Sequence, residues 1–262
     1  MTKPAPAVSM TIITATFNSA ATIADCLASV ASQTVGVEHL VVDGASSDGT
    51  METVRSFGSP VDAVSEPDGG IYDAMNKGIE RAGGEVVGIL NSDDFYASET
   101  VLAQVADAFG DPAVDACYGD LVYVDFQDTD RVVRYWKAGP CDSRKFRWGW
   151  MPPHPAFFVR RSVYERFGSF NLGLGSAADY EIMLRFLLKH GLKTAYIPGV
   201  LVKMRTGGVS NASFRNRLAA NRNDRQAWKV NGLRPYPWTL WAKPVRKLGQ
   251  WVAKGPQSGS GV

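Results

Sequence analysis

Apolar and polar positions along the first hundred residues fall into two alternating rhythms. Residues 10–15 form an apolar, β-branched run with the composition of a buried strand. Ile23, Leu27 and Val30 then recur at helical spacing, which predicts a helix from about residue 20. Further strands are predicted over 38–42, at Ala63 and Val64, and over 86–90, the last introduced by Gly83 and Gly84. Between them the pattern predicts helices at about 50–57, 72–82 and 98–109. Strands and helices in this order build a mostly parallel sheet. From 114 to 136 the pattern changes to strands in succession, an antiparallel or mixed extension. Helices follow near 162–167, where Ser162 and Glu165 match a capping box, near 179–189, and over about 213–231.

At 262 residues, with 45% hydrophobic and 21% charged positions, the chain suits one sizeable α/β domain with a short appendage. The division read from the pattern is a flexible start over 1–9 and a domain over 10–231, split into a nucleotide-binding half (10–110) and an acceptor half (111–231). A basic, aromatic tail occupies 232–262, and its end is expected to be disordered. A net charge of +2 excludes bulk nucleic-acid binding. Cys26, Cys117 and Cys141 are odd in number and lack C-x-x-C spacing, so neither a disulfide framework nor a zinc site is expected. The start lacks the apolar core of a signal peptide, and no run reaches the roughly 18 apolar residues of a spanning helix. The expected location is the cytoplasm, with the inner face of the membrane in reach of the tail.

Chemistry gathers where the predicted strands end. Thr14, Thr16 and Asn18 follow the first strand, Asp43 ends the second, Glu66, Asp68, Gly69 and Gly70 follow the third, and Asn91, Ser92, Asp93 and Asp94 follow the fourth. Open α/β sheets bind ligands outside the carboxyl ends of their strands. A nucleotide is the expected ligand, yet neither G-x-G-x-x-G nor G-x-x-x-x-G-K-[ST] is present. Adjacent carboxylates at Asp93 and Asp94 suggest the other way of holding a diphosphate, through bridging Mg²⁺ or Mn²⁺.

Four segments in order carry a resemblance: Thr-Ala-Thr-Phe-Asn (14–18), Val-Asp-Gly-Ala-Ser-Ser-Asp-Gly-Thr (42–50), Glu-Pro-Asp-Gly-Gly-Ile-Tyr-Asp-Ala-Met-Asn-Lys-Gly (66–78) and Asn-Ser-Asp-Asp (91–94). With Pro-His-Pro, Ala-Asp-Tyr-Glu-Ile-Met-Leu-Arg and Met-Arg-Thr-Gly-Gly-Val-Ser-Asn further on, the chain resembles the inverting family 2 glycosyltransferases. The resemblance implies the GT-A fold, a Rossmann-like single α/β domain with a mostly parallel central sheet and an antiparallel extension. It implies nucleobase contacts for Thr16 and Asp43, a base or sugar contact for Asp68, the ribose for Asp93, the metal for Asp94 and the general base for Asp179. Thr14 and Asn18 belong to the same donor edge. Ala178 departs from the Glu-Asp pair common before the base. The implied reaction moves one sugar from a nucleotide-diphosphate sugar, UDP-linked by expectation, to a hydroxyl of a glycan or lipid-linked acceptor in polysaccharide or glycolipid synthesis.

Several features have two readings. His154, held extended between Pro153 and Pro155, reads as a third metal ligand, an acceptor contact or a structural loop histidine. Arg147 and Trp148 are acceptor-lining candidates, with Trp150 beside them, and Arg205 and Ser210 are candidates for a lid over the diphosphate. Asp179 also reads as the acidic end of a cap begun by Ser176. The literal D-x-D at Asp128 and Asp130 reads as a solvated turn. The R-x-x-R-W of 144–148, which processive members carry after the base, here precedes Asp179, so a non-processive enzyme is expected. The tail mixes Trp238, Trp241, Val245, Leu248 and Trp251 with Lys243, Arg246, Lys247 and Lys254, a composition for peripheral membrane contact or for docking on the domain itself. Two rival functions stand: a sugar-phosphate nucleotidyltransferase, which would want a basic glycine loop after the first strand, and a non-catalytic nucleotide-sugar-binding protein.

Overall fold

A computed structural model describes residues 8–207 and 214–241, with side chains of the final helix described from residue 222. Strands β1 (Met10–Thr16), β2 (Glu38–Asp43), β3 (Asp62–Ser65) and β4 (Val86–Ile89) pair in parallel in the order β3-β2-β1-β4. All seven residues of β1 are buried, as a central parallel strand covered on both faces requires. Helices α1 (Ile23–Ala31), α2 (Thr50–Ser56) and α3 (Ile71–Arg81) connect these strands. Close passage of α3 over β1 depends on Gly78, where a Cβ would stand 2.4 Å from Cγ2 of Ile13.

The second half of the sheet is mixed. Next come β5 (Asp94–Tyr96), α4 (Val101–Ala108), β6 (Ala116–Val124), β7 (Val132–Trp136), β8 (Phe157–Arg160), α5 (Arg161–Phe167), α6 (Ala178–Met183), β9 (Thr194–Arg205) and α7 (Phe214–Val230). Beyond β4 the sheet continues β8-β6-β9-β5, with β7 paired to β6. β8 runs antiparallel to β4 and β6, β9 parallel to β6, and β5 antiparallel to β9. One core cluster unites α3, β1 and β2 with Trp150, Tyr180, Phe186 and Trp228; another packs α1 and α4 under Phe158 and Val202.

Every predicted helix forms within a few residues of its expected place, but three strands went unpredicted: β5, β8 and β9. β5 has only three residues, β8 runs straight into α5 with no turn between them, and β9 contains Pro198 and Gly199. The capping box at Ser162 does not form; α5 starts from Arg160 without a side-chain cap, and Glu165 pairs instead with Arg161 at 2.9 Å. Nor does Ser176 cap the helix of Asp179. The tail begins as part of the domain: Thr239 and Leu240 are buried, and Thr239 Oγ1 donates to the carbonyl of Arg147 at 2.6 Å. Residues 1–7, 208–213 and 242–262 lie outside the described residues.

Candidate functional site

Parallel register aligns Thr16, Asp43 and Ser65 across three adjacent strand ends. Asp43 is fully buried, and its charge is met by the Ser46 amide at 3.0 Å, the Ser46 hydroxyl and Ser65 Oγ at 2.6 Å. Asp68 closes over this group from the next loop, where a Cβ on Gly44 would stand 2.7 Å from its Oδ2. Its Oδ1 accepts from the amide of Gly70, a residue at φ 109° that favours glycine. Asn18, also at positive φ, clasps the β2 loop: its amide donates to Ser46 Oγ at 2.7 Å and its Oδ1 accepts from Ser47 N at 2.9 Å. Phe17, in the same turn, is 61% exposed.

Asp93 and Asp94 sit where the chain leaves β4 for β5. Asp93 is partly exposed, whereas Asp94 is completely buried and accepts from Asn91 Nδ2 at 3.2 Å. Burial, reinforced by the charge of Asp93, pushes the Asp94 carboxyl well above the usual carboxylate range against the pull of Asn91 and Arg205. Burial also raises Asp93, opposed by Arg205. Arg205 is itself buried: its guanidinium pairs with Asp25 on α1 and donates to the Asp93 carbonyl at 3.1 Å. It therefore bolts the acidic turn to α1, which occupies the cation that a lid would need.

Asp179 in the first turn of α6 meets His154, with Oδ2 3.3 Å from Nδ1. Both side chains remain partly open to solvent. Behind His154 is a small apolar pocket lined by Met75, Ile89, Phe157 and Phe186, which leaves the ring its polar partner on the Asp179 side. Tyr72 is pushed well above its usual range by burial and by the Asp179 charge. The decisive group is Tyr123 near the end of β6. Burial is the main cause of its raised pKa, and the charges of Asp94 and Asp179 both add to it. Tyr123 is also in register with Asp94, since both pair with Met204 of β9.

Six buried side-chain atoms among the described residues lack a hydrogen-bond partner: Thr16 Oγ1, Asn91 Oδ1, Asp94 Oδ1, Tyr96 Oη, and Nε and Nη2 of Arg134. Each such atom costs about 1–3 kcal/mol. Thr16, Asn91 and Asp94 stand at the ends of β1 and β4, where an incoming ligand would supply the missing partners. No three His, Cys, Asp or Glu side chains converge among the described residues. A nucleotide-site Mg²⁺ takes only one or two carboxylates from the protein and the rest from phosphates and water. The Asp93–Asp94 pair, with its mutual repulsion and its orphaned Oδ1, fits that share.

Not every sequence candidate joins the site. Thr14 is a core residue, its hydroxyl 3.0 Å from His39 Nε2 and 3.6 Å from Cys26 Sγ, because β1 is covered on both faces. Trp150 is also core, its indole donating to the Ala138 carbonyl at 2.9 Å. Arg147 and the 52%-exposed Trp148 form a surface patch with Tyr236 and Trp238. Ser210 lies outside the described residues. Asp128 and Asp130 occupy the β6–β7 turn, as expected. No motif in the sequence marks Tyr72 or Tyr123, whose hydroxyls feel the Asp179 charge, or Arg134, which stacks on the Tyr123 ring.

Residues 11–168 match the family described as Glycosyl transferase family 2. A Mycobacterium tuberculosis "PGL/p-HBAD biosynthesis glycosyltransferase" is 32% identical over 207 residues, covering 76% of this chain and 78% of the relative. An uncharacterised glycosyltransferase of the same species is 35% identical over 216 residues, covering 79% and 78%. Among solved structures, TarS of S. aureus matches with a TM-score of 0.63 at 17% identity, over 96% of this chain and 45% of that one. A Pyrobaculum calidifontis mannosyltransferase in complex with GDP-Man and Mn²⁺ matches with a TM-score of 0.62 at 21% identity, over 99% and 79%.

Proposed function

The chain belongs to glycosyl transferase family 2 and has the GT-A fold, and from that premise we propose a metal-dependent, inverting transfer of one sugar from a UDP-sugar to an acceptor hydroxyl. The observation that carries the reading is the buried polar edge at the ends of β1 and β4, where Thr16 Oγ1, Asn91 Oδ1 and Asp94 Oδ1 lack partners that a bound donor would supply. Thr16, Asp43 and Asp68 form the nucleobase end, with Thr16 Oγ1 free to bond the base and Asp43 facing a ring N–H. Asp93 would meet the ribose, and a divalent cation held by Asp94 would supply Lewis-acid stabilisation of the leaving diphosphate. Nucleotide-sugar use is supported by structural neighbours in complex with UDP-GlcNAc and with GDP-Man, the latter with Mn²⁺.

Asp179 takes the proton of the acceptor hydroxyl as its oxygen attacks the anomeric carbon. The new C–O bond forms while the anomeric C–O bond to the β-phosphate breaks, and the electron pair leaves with the nucleoside diphosphate. Base and leaving group on opposite faces give inversion. His154 holds Oδ2 of Asp179, the service that an acid at position 178 would otherwise provide. The acceptor is a glycan or lipid-linked hydroxyl, in line with the PGL/p-HBAD biosynthesis in the name of the 32%-identical relative.

We also propose that the enzyme works at the cytoplasmic face of a membrane. No helix among the described residues is long and apolar enough to cross one. Trp148, Tyr236 and Trp238 instead form a mutually packed, exposed aromatic group, with ring centroids 5.1–6.3 Å apart. The test of the function is release of nucleoside diphosphate across UDP-, GDP- and dTDP-sugars, with Mn²⁺ and with chelator. Turnover should require the cation and fall at least 100-fold in Asp179→Asn while UDP affinity is kept. Full activity of Asp179→Asn would refute the assignment of the base.

A further inference from the structure

Arg134 has no place in the donor and base assignments, yet it is the most unusual cation of the cleft. It sits on β7, on the face it shares with Trp136, and pairs across the ladder with Tyr123 of β6. Its guanidinium lies 4.1 Å from the centroid of the Tyr123 ring and 5.8 Å from that of Trp136. No carboxylate among the described residues pairs with it, and its Nε and Nη2 are buried without a hydrogen-bond partner. Those two nitrogens form one edge of the guanidinium, the fork that takes an oxyanion through two parallel hydrogen bonds.

The surroundings say where such an anion would stand. Arg134, Tyr123, Met204 and Asp94 stand in register across β7, β6, β9 and β5, so one row of the sheet joins the guanidinium to the acidic turn. Arg134 is held in that row by two aromatic rings in place of an acid. An acidic partner would have neutralised it and closed the fork. The aromatic faces hold the cation and leave Nε and Nη2 without a partner.

We propose that Arg134 is an oxyanion-binding residue of the active cleft, its Nε–Nη2 edge clamping a phosphate group of the substrates. This rests on the cleft reading given above. Phosphate reaches such a site from the donor diphosphate or from a phosphorylated lipid acceptor, and the chemistry at Arg134 is the same.

Calorimetric titration of the full chain in Mn²⁺ tests this with UDP against uridine, and with farnesyl phosphate against farnesol. Arg134→Gln should weaken one phosphate probe at least tenfold while leaving its phosphate-free counterpart unchanged. Arg134→Lys, which keeps the charge and loses the fork, should recover only part of the loss. A loss confined to UDP assigns the donor diphosphate; one confined to farnesyl phosphate assigns the acceptor. Equal affinity of Arg134→Gln and wild type for both phosphates would overturn the proposal, as would a wild type that binds neither. If Arg134→Gln folds poorly, Arg134→Met and a competition by inorganic pyrophosphate against bound UDP provide the same comparison. Turnover of a sugar nucleotide by a wild type whose phosphate affinity ignores Arg134 would sink this inference alone. Phosphate binding that depends on Arg134 without turnover of any donor would sink the transferase mechanism alone.

Discussion

Replacement of Arg185 tests how the helix carrying Asp179 is held. Arg185 follows α6, and all five of its N–H groups are used: Nε and Nη2 to the two oxygens of Glu181 at 3.0 and 2.8 Å, Nη1 to the carbonyls of Phe167 and Gly168 at 2.5 and 2.7 Å, and Nη2 again to Ser169 at 2.7 Å. Glu181 is 3% exposed, and its other described contact is Asn231 Nδ2 at 3.1 Å. In Arg185→Lys at least two of five charge-assisted bonds have no donor, and at about 1.5 kcal/mol each the cost is about 3 kcal/mol. Arg185→Met leaves Glu181 as a buried charge without a cation, a loss of about 3–5 kcal/mol before the three carbonyls are counted. Urea unfolding at neutral pH measures both variants against wild type. The denaturation midpoint should fall in the order wild type, Lys, Met, with an unchanged slope. A loss below about 1 kcal/mol for the Met variant would mean that Glu181 finds water or a proton at little cost, and that Arg185 does not anchor it.

Two further outcomes are expected. Burial lowers the His39 pKa from 6.5 to about 4, so the folded state prefers the neutral ring. The stability this lends is present above pH 6.5 and lost as pH falls towards 4; at pH 4.5 the loss is about 2.5 kcal/mol, read as the difference between urea unfolding of wild type and of His39→Gln at pH 7 and 4.5. For the aromatic patch, co-sedimentation with vesicles containing anionic phosphatidylglycerol should exceed that with phosphatidylcholine alone. Trp148→Ala with Trp238→Ala should cut that binding several-fold, and equal pelleting of wild type and double variant would remove the patch from membrane contact.

Much of the fold was legible because its donor half obeys local rules. The helices from α1 to α3 alternate with strands, and β1, β2 and β4 carry apolar runs buried on both faces. β5, β8 and β9 were not legible, since β5 has only three residues, β8 runs straight into α5, and β9 holds Pro198 and Gly199. They exist because neighbouring strands offer them a ladder. Among site residues, Asp43 and Asp94 stood out by motif, while Arg134 and Tyr123 look like ordinary strand residues until β6 and β7 pair.

By itself the order of residues determined the family, the alternation that makes a parallel sheet, and the polar edge at the ends of β1, β2 and β4, because these depend on spacing along the chain. Folding in three dimensions settled that Thr14 faces the core, that Arg205 is consumed by Asp25, that His154 meets Asp179, and that Arg134 stacks on Tyr123 with Nε and Nη2 unpartnered. Partners in those cases are 25 to 180 residues apart, or eleven apart across a hairpin. Their meeting is set by which strands pair and which faces are buried, and no local pattern encodes that.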